Sequence, residues 1–179
     1  TLDEKGKPAL HNPAHVNLGL AIDVPSANGE RRLLVPSVKN ADTLDLAGFI
    51  DAYDALVVKA RKGQLTVDDF KDTTATLTNP GMIGTLNSVP RLMPGQGLIM
   101  GVGAMTYPAA FAGASPETLA RQAVGKVLTL SNTYDHRVIQ GAQSGELLRL
   151  MERKLMGLDG FWNRSFKALR IPHEPVHWD

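Results

Sequence analysis

The sequence of 179 residues contains no cysteine. This absence excludes disulfide bonds, zinc sites with thiolate ligands and a cysteine nucleophile, and it is in keeping with a reducing cytoplasm, where we expect the protein to be located. A large excess of charge of one sign is also absent, since 19 Lys and Arg balance 18 Asp and Glu to a net charge of +1. The balance gives no electrostatic reason to expect nucleic acid or an anionic membrane as a partner.

Long hydrophobic runs are absent as well. No stretch approaches the roughly 18 consecutive apolar residues of a membrane span. The first fifteen residues, TLDEKGKPALHNPAH, are polar and do not resemble a signal peptide. What is present is an apolar fraction of 43% and a charged fraction of 21%, which are typical of a soluble globular domain with a core of ordinary size.

The first half of the chain predicts a hairpin. Residues 16–24 alternate apolar and polar side chains, which indicates a half-buried strand. Asn28 and Gly29 are typical of a tight hairpin connection. Residues 33–39 read as the returning strand, in which Pro36 indicates a sheet edge or a bulge.

Three segments have helical patterns. Residues 42–63 form the clearest one, with Asp42 or Thr43 as the expected N-cap and Gly63 at the end. A short helix is predicted at 65–70, and an amphipathic helix over 141–157. A further short helix is expected near Pro116.

Strands are also predicted over residues 73–79, 98–105 and 125–136, and a long loop rich in glycine and proline over 80–97. Strands and helices mix without strict alternation. This order favours a two-layer α/β sandwich of a mixed sheet and helices over a doubly wound fold.

The sequence TYDHRVIQGA places His136 between a strand end and a helix start, with Asp135 and Arg137 beside it. A junction of this kind can present a reactive side chain from a rigid scaffold. Free imidazole has a pKa of about 6.5, which suits proton transfer near neutrality. A hydrogen-bonded structural histidine is the alternative interpretation.

The sequence HEPVH at residues 173–177 matches the zinc-protease pattern H-E-x-x-H. That pattern needs a regular helix, which Pro175 would disturb. His11 and His15 are also four apart, but Pro13 lies between them. We therefore expect no metal site.

Thr78 ends a threonine-rich strand directly before Asn79 and Pro80. Threonine is common in strands, so a purely structural role is one interpretation. The functional interpretation is a hydroxyl that donates to a developing oxyanion.

Taken together, VNLGLAIDV, LLVPSVKNADTLDLAGF, TLTNPGMIG and TYDHRVIQGA resemble the catalytic domain of the dihydrolipoyl acyltransferases of 2-oxoacid dehydrogenase complexes. The order and spacing agree from about Asn12 to Leu155. SVPRLMPGQG and TYDHRVIQGAQSGELLR are most similar to a narrower group, the succinyltransferase-like domain of actinobacterial multifunctional 2-oxoglutarate dehydrogenase/decarboxylase.

The resemblance implies the coenzyme A-dependent acyltransferase fold. It also implies transfer of a succinyl group between dihydrolipoyl and coenzyme A, within a 2-oxoglutarate dehydrogenase system of the tricarboxylic acid cycle. His136 matches the family's general base, and Thr78 matches the hydroxyl that stabilises the oxyanion. The expected supporting residues are Asp135 and Arg137, which brace the loop, and Asn79 and Thr133, which line the channel.

Two departures from the family accompany this resemblance. The family motif is D-H-R-x-x-D-G, and Gln140 stands where it has its second aspartate. An amide can form hydrogen bonds but cannot supply charge. The family domain also has an N-terminal helix and strand that we do not find here, so we expect this chain to be the C-terminal portion of the domain.

The resemblance further implies a homotrimer with its active site at the subunit interface, a lipoyl-bearing partner and a fused thiamine-dependent dehydrogenase domain. Thiamine diphosphate and Mg²⁺ would belong to that fused domain. We expect residues 1–158 to form the acyltransferase portion and 159–179 an extension or linker toward the dehydrogenase. The alternative hypothesis is a catalytically weak oligomerisation or docking scaffold with the same fold.

Overall fold

The computed structural model describes residues 3–25 and 29–172. The strands are β1 (Leu18–Leu20), β2 (Ile22–Pro25), β3 (Arg31–Leu34), β4 (Ser37–Val38), β5 (Ala75–Thr78), β6 (Leu98–Val102) and β7 (Leu130–Tyr134). The helices are α1 (Leu46–Arg61), α2 (Val67–Phe70), α3 (Pro116–Arg121), α4 (Gly141–Leu155) and α5 (Phe161–Ala168). Short 3₁₀ turns lie at Ala41–Thr43, Pro80–Ile83, Ala109–Phe111 and Leu158–Gly160.

Five of the strands form one mixed sheet in the order β4-β1-β5-β6-β7. Its three central strands β1, β5 and β6 are parallel, while β4 and β7 run antiparallel to their neighbours at the two edges. Strands β2 and β3 form a separate two-stranded antiparallel sheet. The prediction of a mixed sheet with helices is confirmed.

The single strand predicted over residues 16–24 is wrong in one respect, because it is interrupted at Ala21. Both halves keep one continuous hairpin register, in which Gly19 lies opposite Ser37 and Ile22 opposite Leu34. At the interruption the Leu20 amide donates to the Pro36 carbonyl at 2.8 Å. Proline has no N–H to return that hydrogen bond, so the ladder is broken there. Asn28, predicted in the connection, lies outside the described residues.

The predicted N-cap of α1 is also wrong. Asp45 takes that position, and its Oδ1 accepts a hydrogen bond from the Gly48 amide at 2.8 Å. Thr43 instead ends the preceding 3₁₀ turn. The carboxylate of Asp42 is occupied elsewhere, since it accepts from the Val16 amide at 2.7 Å and lies 3.1 Å from Nδ1 of His15.

Helices α1 and α4 pack on one face of the main sheet. The buried side chains of Leu20, Val38 and Leu56 join strands β1 and β4 to α1. At the other edge, Asn132 of β7 and Ser144 of α4 form a hydrogen bond of 3.0 Å. The register places Leu20, Leu77, Met100 and Asn132 in one row across the sheet, so both helices cover the same face.

The opposite face of the sheet carries the loop of residues 80–97. The hydroxyl of Ser131 in β7 donates to the carbonyl of Ser88 at 2.6 Å. The buried hydroxyl of Thr76 in β5 donates to Oε1 of Gln96 at 2.6 Å. The sheet is therefore covered by α1 and α4 on one side and by an anchored loop on the other.

The predictions did not include α5. This helix contacts α1 and α4, and Nε1 of Trp162 donates to the carbonyl of Leu155 at 2.8 Å. The division of the chain after residue 158 stays a prediction. Within residues 3–25 and 29–172, no helix has the length and apolar character needed to cross a bilayer.

Candidate active site

Thr78 is the last residue of β5 and is partly buried. Its partner in the neighbouring strand β6 is Gly101, which has no side chain to cover it. Asn79 follows with an exposed side chain, and the chain then enters the 3₁₀ turn at Pro80. A hydroxyl held at the end of a central strand is placed on a rigid element, as an oxyanion donor requires.

Two glycines fix the backbone beside Thr78. A Cβ at Gly81 would clash with the backbone of Gly103 and Ala104. A Cβ at Gly103 would clash with the carbonyl oxygen of Leu86. The turn after β5 and the end of β6 therefore touch backbone to backbone, which only glycine permits.

His136 lies two residues beyond the end of β7, and its side chain is exposed. Its ring centroid lies 5.5 Å from that of Tyr134, with the two rings tilted by 45°. The contact orients one side of the imidazole against the end of the strand. The exposed imidazole is therefore accessible to molecules outside this chain.

Asp135 and Arg137 contact each other across His136. The Arg137 Nε lies 2.9 and 3.0 Å from the two carboxylate oxygens of Asp135, and the Arg137 amide donates to Oδ1 at 3.0 Å. The hydrogen bonds from the Arg137 guanidinium, more than those from its amide, lower the pKa of Asp135 to about 2. The Asp135 amide donates to the carbonyl of Gly97 at 3.0 Å, which ties this turn to the start of β6.

Gln140 is the residue directly before α4, with an extended backbone (φ −89°, ψ 155°). Its amide donates to Oε1 of Gln143 at 2.7 Å, so one of the free N–H groups at the helix start is satisfied. The side chain of Gln140 is exposed, like that of His136 four residues before it.

Thr133 lies within β7, opposite Ile99 of β6. Its hydroxyl oxygen is buried and has no hydrogen-bond partner among the described residues. Buried polar groups are nearly always paired, so this hydroxyl is an exception. It shares its end of the sheet with His136.

Thr78 and His136 do not meet within one chain. Thr78 lies in one row with Gly101 and Ser131, whereas His136 follows Tyr134, which is paired with Leu98 at the opposite end of β6. The row of Thr78 is therefore about 10 Å from Tyr134 along the strands, at ~3.3 Å per residue, and two strands away. A single chain cannot bring both side chains to one reacting carbon.

Residues 1–158 match the family described as 2-oxoacid dehydrogenases acyltransferase (catalytic domain). This match covers most of the chain. The chain belongs to this acyltransferase family.

Relatives of this acyltransferase domain include much longer proteins. This chain is 55% identical over 173 residues to a multifunctional 2-oxoglutarate metabolism enzyme of Mycolicibacterium vanbaalenii. The aligned region covers 97% of this chain and 14% of that protein. The chain is 53% identical, with the same coverage, to a 2-oxoglutarate dehydrogenase E1/E2 component of Corynebacterium glutamicum. The chain thus spans about a seventh of the length of these relatives.

A solved structure shares the acyltransferase fold. It is a dihydrolipoamide acetyltransferase of Azotobacter vinelandii, with a TM-score of 0.67 and 28% identity over 88% of this chain and 59% of that one. Its catalytic mechanism has been investigated at a serine, a histidine and an asparagine, the last four residues beyond the histidine.

The predictions missed the residues that anchor the loop over the acyltransferase sheet, namely Ser88, Gln96 and their partners. The pairs Ser88–Ser131 and Thr76–Gln96 are separated by 43 and 20 positions in the chain. No local periodicity signals such contacts.

No metal site accompanies the acyltransferase motifs in the part of the chain that the structure describes, where no group of three or more His, Asp or Glu side chains is arranged to hold an ion. His15 is paired with Asp42 rather than with His11. The HEPVH sequence at 173–177 lies outside the described residues.

Proposed function

We propose that this chain transfers a succinyl group between dihydrolipoyl and coenzyme A, as part of a 2-oxoglutarate dehydrogenase system. The observation that carries the proposal is the exposed imidazole of His136, held at a strand end in a chain that belongs to the acyltransferase family. The succinyl group is proposed because the two relatives named above are described as 2-oxoglutarate enzymes.

In the proposed mechanism His136 acts as a general base. A thiol with a pKa near 8.5 is mostly protonated at neutral pH and is a weak nucleophile until its proton is removed. The imidazole takes the proton of the coenzyme A thiol, and the sulfur attacks the carbonyl carbon of the succinyl thioester. The tetrahedral intermediate then expels the dihydrolipoyl sulfur, which receives the same proton from the imidazolium.

Thr78 is proposed to stabilise the intermediate. Its hydroxyl donates a hydrogen bond to the oxyanion that forms at the attacked carbonyl. A donor of this kind is typically worth about 3 kcal/mol of the barrier. No covalent enzyme intermediate and no metal ion are needed for these steps.

The separation of Thr78 from His136 supports a site shared between subunits. We propose a homotrimer in which His136 of one subunit faces Thr78 of the next. Apolar side chains in the loop after Thr78 are strongly exposed, including Met82 (83%), Ile83 (73%) and Val89 (84%). Exposed apolar patches of this kind are typical of protein interfaces.

Gln140 can be compared with a residue of the solved acetyltransferase. In that protein an asparagine lies four residues beyond the histidine, and Gln140 lies four residues beyond His136. Both residues carry a neutral amide. We therefore propose that Gln140 supports the His136 loop through hydrogen bonds, without needing a charge there.

The remaining residues of the site have supporting roles in this proposal. The ion pair of Asp135 and Arg137 braces the turn that presents His136. Asn79 and Thr133 line the two ends of the channel. The lipoyl group is delivered by a partner, and thiamine diphosphate and Mg²⁺ belong to a fused dehydrogenase part beyond this chain.

Succinyl exchange between succinyl-coenzyme A and dihydrolipoamide tests the proposal. In the full-length protein we expect His136→Ala to lower turnover by about 10²- to 10⁴-fold. Thr78→Val should lower it by about 10²- to 10³-fold, whereas Thr78→Ser keeps the hydroxyl and most of the activity. Unchanged exchange in His136→Ala would refute the mechanism. Absent exchange in a correctly assembled wild type would favour the scaffold hypothesis.

A further inference from the structure

Arg91 is the single charged residue in the sequence of residues 79–97, the stretch that follows Thr78 and leads back to β6. Its side chain is exposed. The ion pairs found among residues 3–25 and 29–172 do not include it. A lone cation in an otherwise neutral loop is free to meet an anion that comes from outside.

The chain just before Arg91 is fixed next to Thr78. The two nearest loop atoms to a Cβ built at Gly101 are Ser88 Oγ at 3.2 Å and Pro90 Cδ at 3.5 Å. Gly101 is the direct partner of Thr78 in the sheet, and paired residues present their side chains to the same face. Pro90 therefore lies over β6, the strand next to Thr78. It is on the face of the sheet to which the Thr78 side chain points.

The end of the loop after Arg91 is fixed to the strand of Thr78 itself. Gln96 accepts the hydrogen bond from the buried hydroxyl of Thr76 at 2.6 Å. Thr76 precedes Thr78 by two residues in β5 and so points to the same face. The segment that contains Arg91 thus begins beside Thr78 and ends beside Thr76.

We propose that Arg91 binds the free carboxylate of the acyl group and makes the site selective for acyl groups that end in a carboxylate. The proposal rests on the acyl transfer proposed above. A succinyl group bound with its thioester carbonyl at Thr78 carries its second carboxylate on a short methylene chain. The planar guanidinium of arginine holds a carboxylate through two parallel hydrogen bonds. An acetyl or butyryl group offers no such partner.

The test compares succinyl-coenzyme A with butyryl-coenzyme A, which has a similar length but no carboxylate. In the full-length protein we expect Arg91→Gln to lower kcat/KM for succinyl transfer to dihydrolipoamide by roughly 10- to 100-fold, the loss typical of a charge-assisted hydrogen bond. Butyryl transfer should change by less than about threefold. Arg91→Lys should restore part of the succinyl activity because it keeps the charge.

Arg61→Gln is the matched control, since this exposed arginine ends α1 on the helical face of the sheet. It should leave the preference between the two acyl groups unchanged. An equal loss for both thioesters in Arg91→Gln would overturn the proposal and assign Arg91 to the phosphates of coenzyme A or to folding. No loss for either would overturn it as well.

Calorimetric titration with the same two thioesters separates this proposal from the proposed transfer reaction. If the wild type binds succinyl-coenzyme A more tightly than butyryl-coenzyme A and Arg91→Gln removes the difference, the carboxylate assignment holds even where no acyl exchange occurs. If binding shows no Arg91-dependent preference, the assignment is wrong even where exchange is fast.

Discussion

Thr78 and His136 lie at opposite ends of one mixed sheet. Thr78 is in one row with Gly101 and Ser131, whereas His136 follows Tyr134, which is paired with Leu98. In the proposed mechanism each copy therefore contributes Thr78 to one site and His136 to another. This separation yields a direct test of a site shared between copies.

Thr78→Ala and His136→Ala should each be nearly inactive when expressed alone. Coexpressed at equal levels, they should regain about a quarter of wild-type turnover in a cyclic oligomer, since about a quarter of interfaces then pair an intact Thr78 with an intact His136. The measurement is succinyl exchange by the mixed oligomers. A mixture as inactive as its parents would place both side chains in a site within one chain.

Gly103→Ala should strongly destabilise the protein, because the added Cβ would clash with the Leu86 carbonyl. Gly145 is the matched control. It lies within α4, where an added Cβ meets no atom within 4 Å, so Gly145→Ala should stabilise by about 0.5–1 kcal/mol through helix propensity. Denaturant unfolding of both variants checks the pair. Equal stabilities would show that the backbone contact at Gly103 can relax.

The places of His136 and Thr78 in the fold could be predicted from the sequence because each has a local signature. His136 lies at a strand–helix junction, and Thr78 ends an alternating strand before a proline turn. Their separation could not be predicted, since it depends on which strands are neighbours and in which register. The same holds for the loop anchors at Ser88 and Gln96, whose partners lie far away in the chain.

Helix α5 was missed for a physical reason. It starts at Phe161 after Gly160, which has a positive φ of 65° and offers no side-chain cap. The usual start signals of Ser, Thr, Asp or Asn are therefore absent. The helix is short and contacts α1 and α4, so tertiary packing rather than local preference stabilises it.

The ion pair beside His136 predicts a pH dependence of stability. The pKa of Asp135 is lowered from 3.8 to about 2, so its ionised form is favoured in the folded state. A lowered pKa contributes stability that is fully present above the unfolded value and is lost as the pH falls through the folded value. The stability difference between wild type and Asp135→Asn should be constant from pH 7 to about pH 5 and should shrink between about pH 4 and pH 2.

Denaturant unfolding over that pH range measures the effect. Arg137→Gln provides the control, because its guanidinium is the first cause of the lowered pKa. Asp135→Asn in the Arg137→Gln background should have a smaller effect at pH 7 than in the wild type. Equal effects of Asp135→Asn in the two backgrounds would mean that the interaction between Asp135 and Arg137 does not contribute to stability.

Gln140 allows the acyltransferase and scaffold hypotheses to be separated through both stability and turnover. Aspartate is a better N-cap than glutamine, and its charge interacts favourably with the helix start, so Gln140→Asp should stabilise by about 0.5–1 kcal/mol. Gln140→Asn is the neutral control, because asparagine has the side-chain length of aspartate and keeps the amide of glutamine. If the amide supports His136, Gln140→Asn keeps succinyl exchange and Gln140→Asp brings no gain. A gain of tenfold or more in Gln140→Asp, from a near-zero wild-type rate, would instead mean that glutamine has silenced an inherited active site.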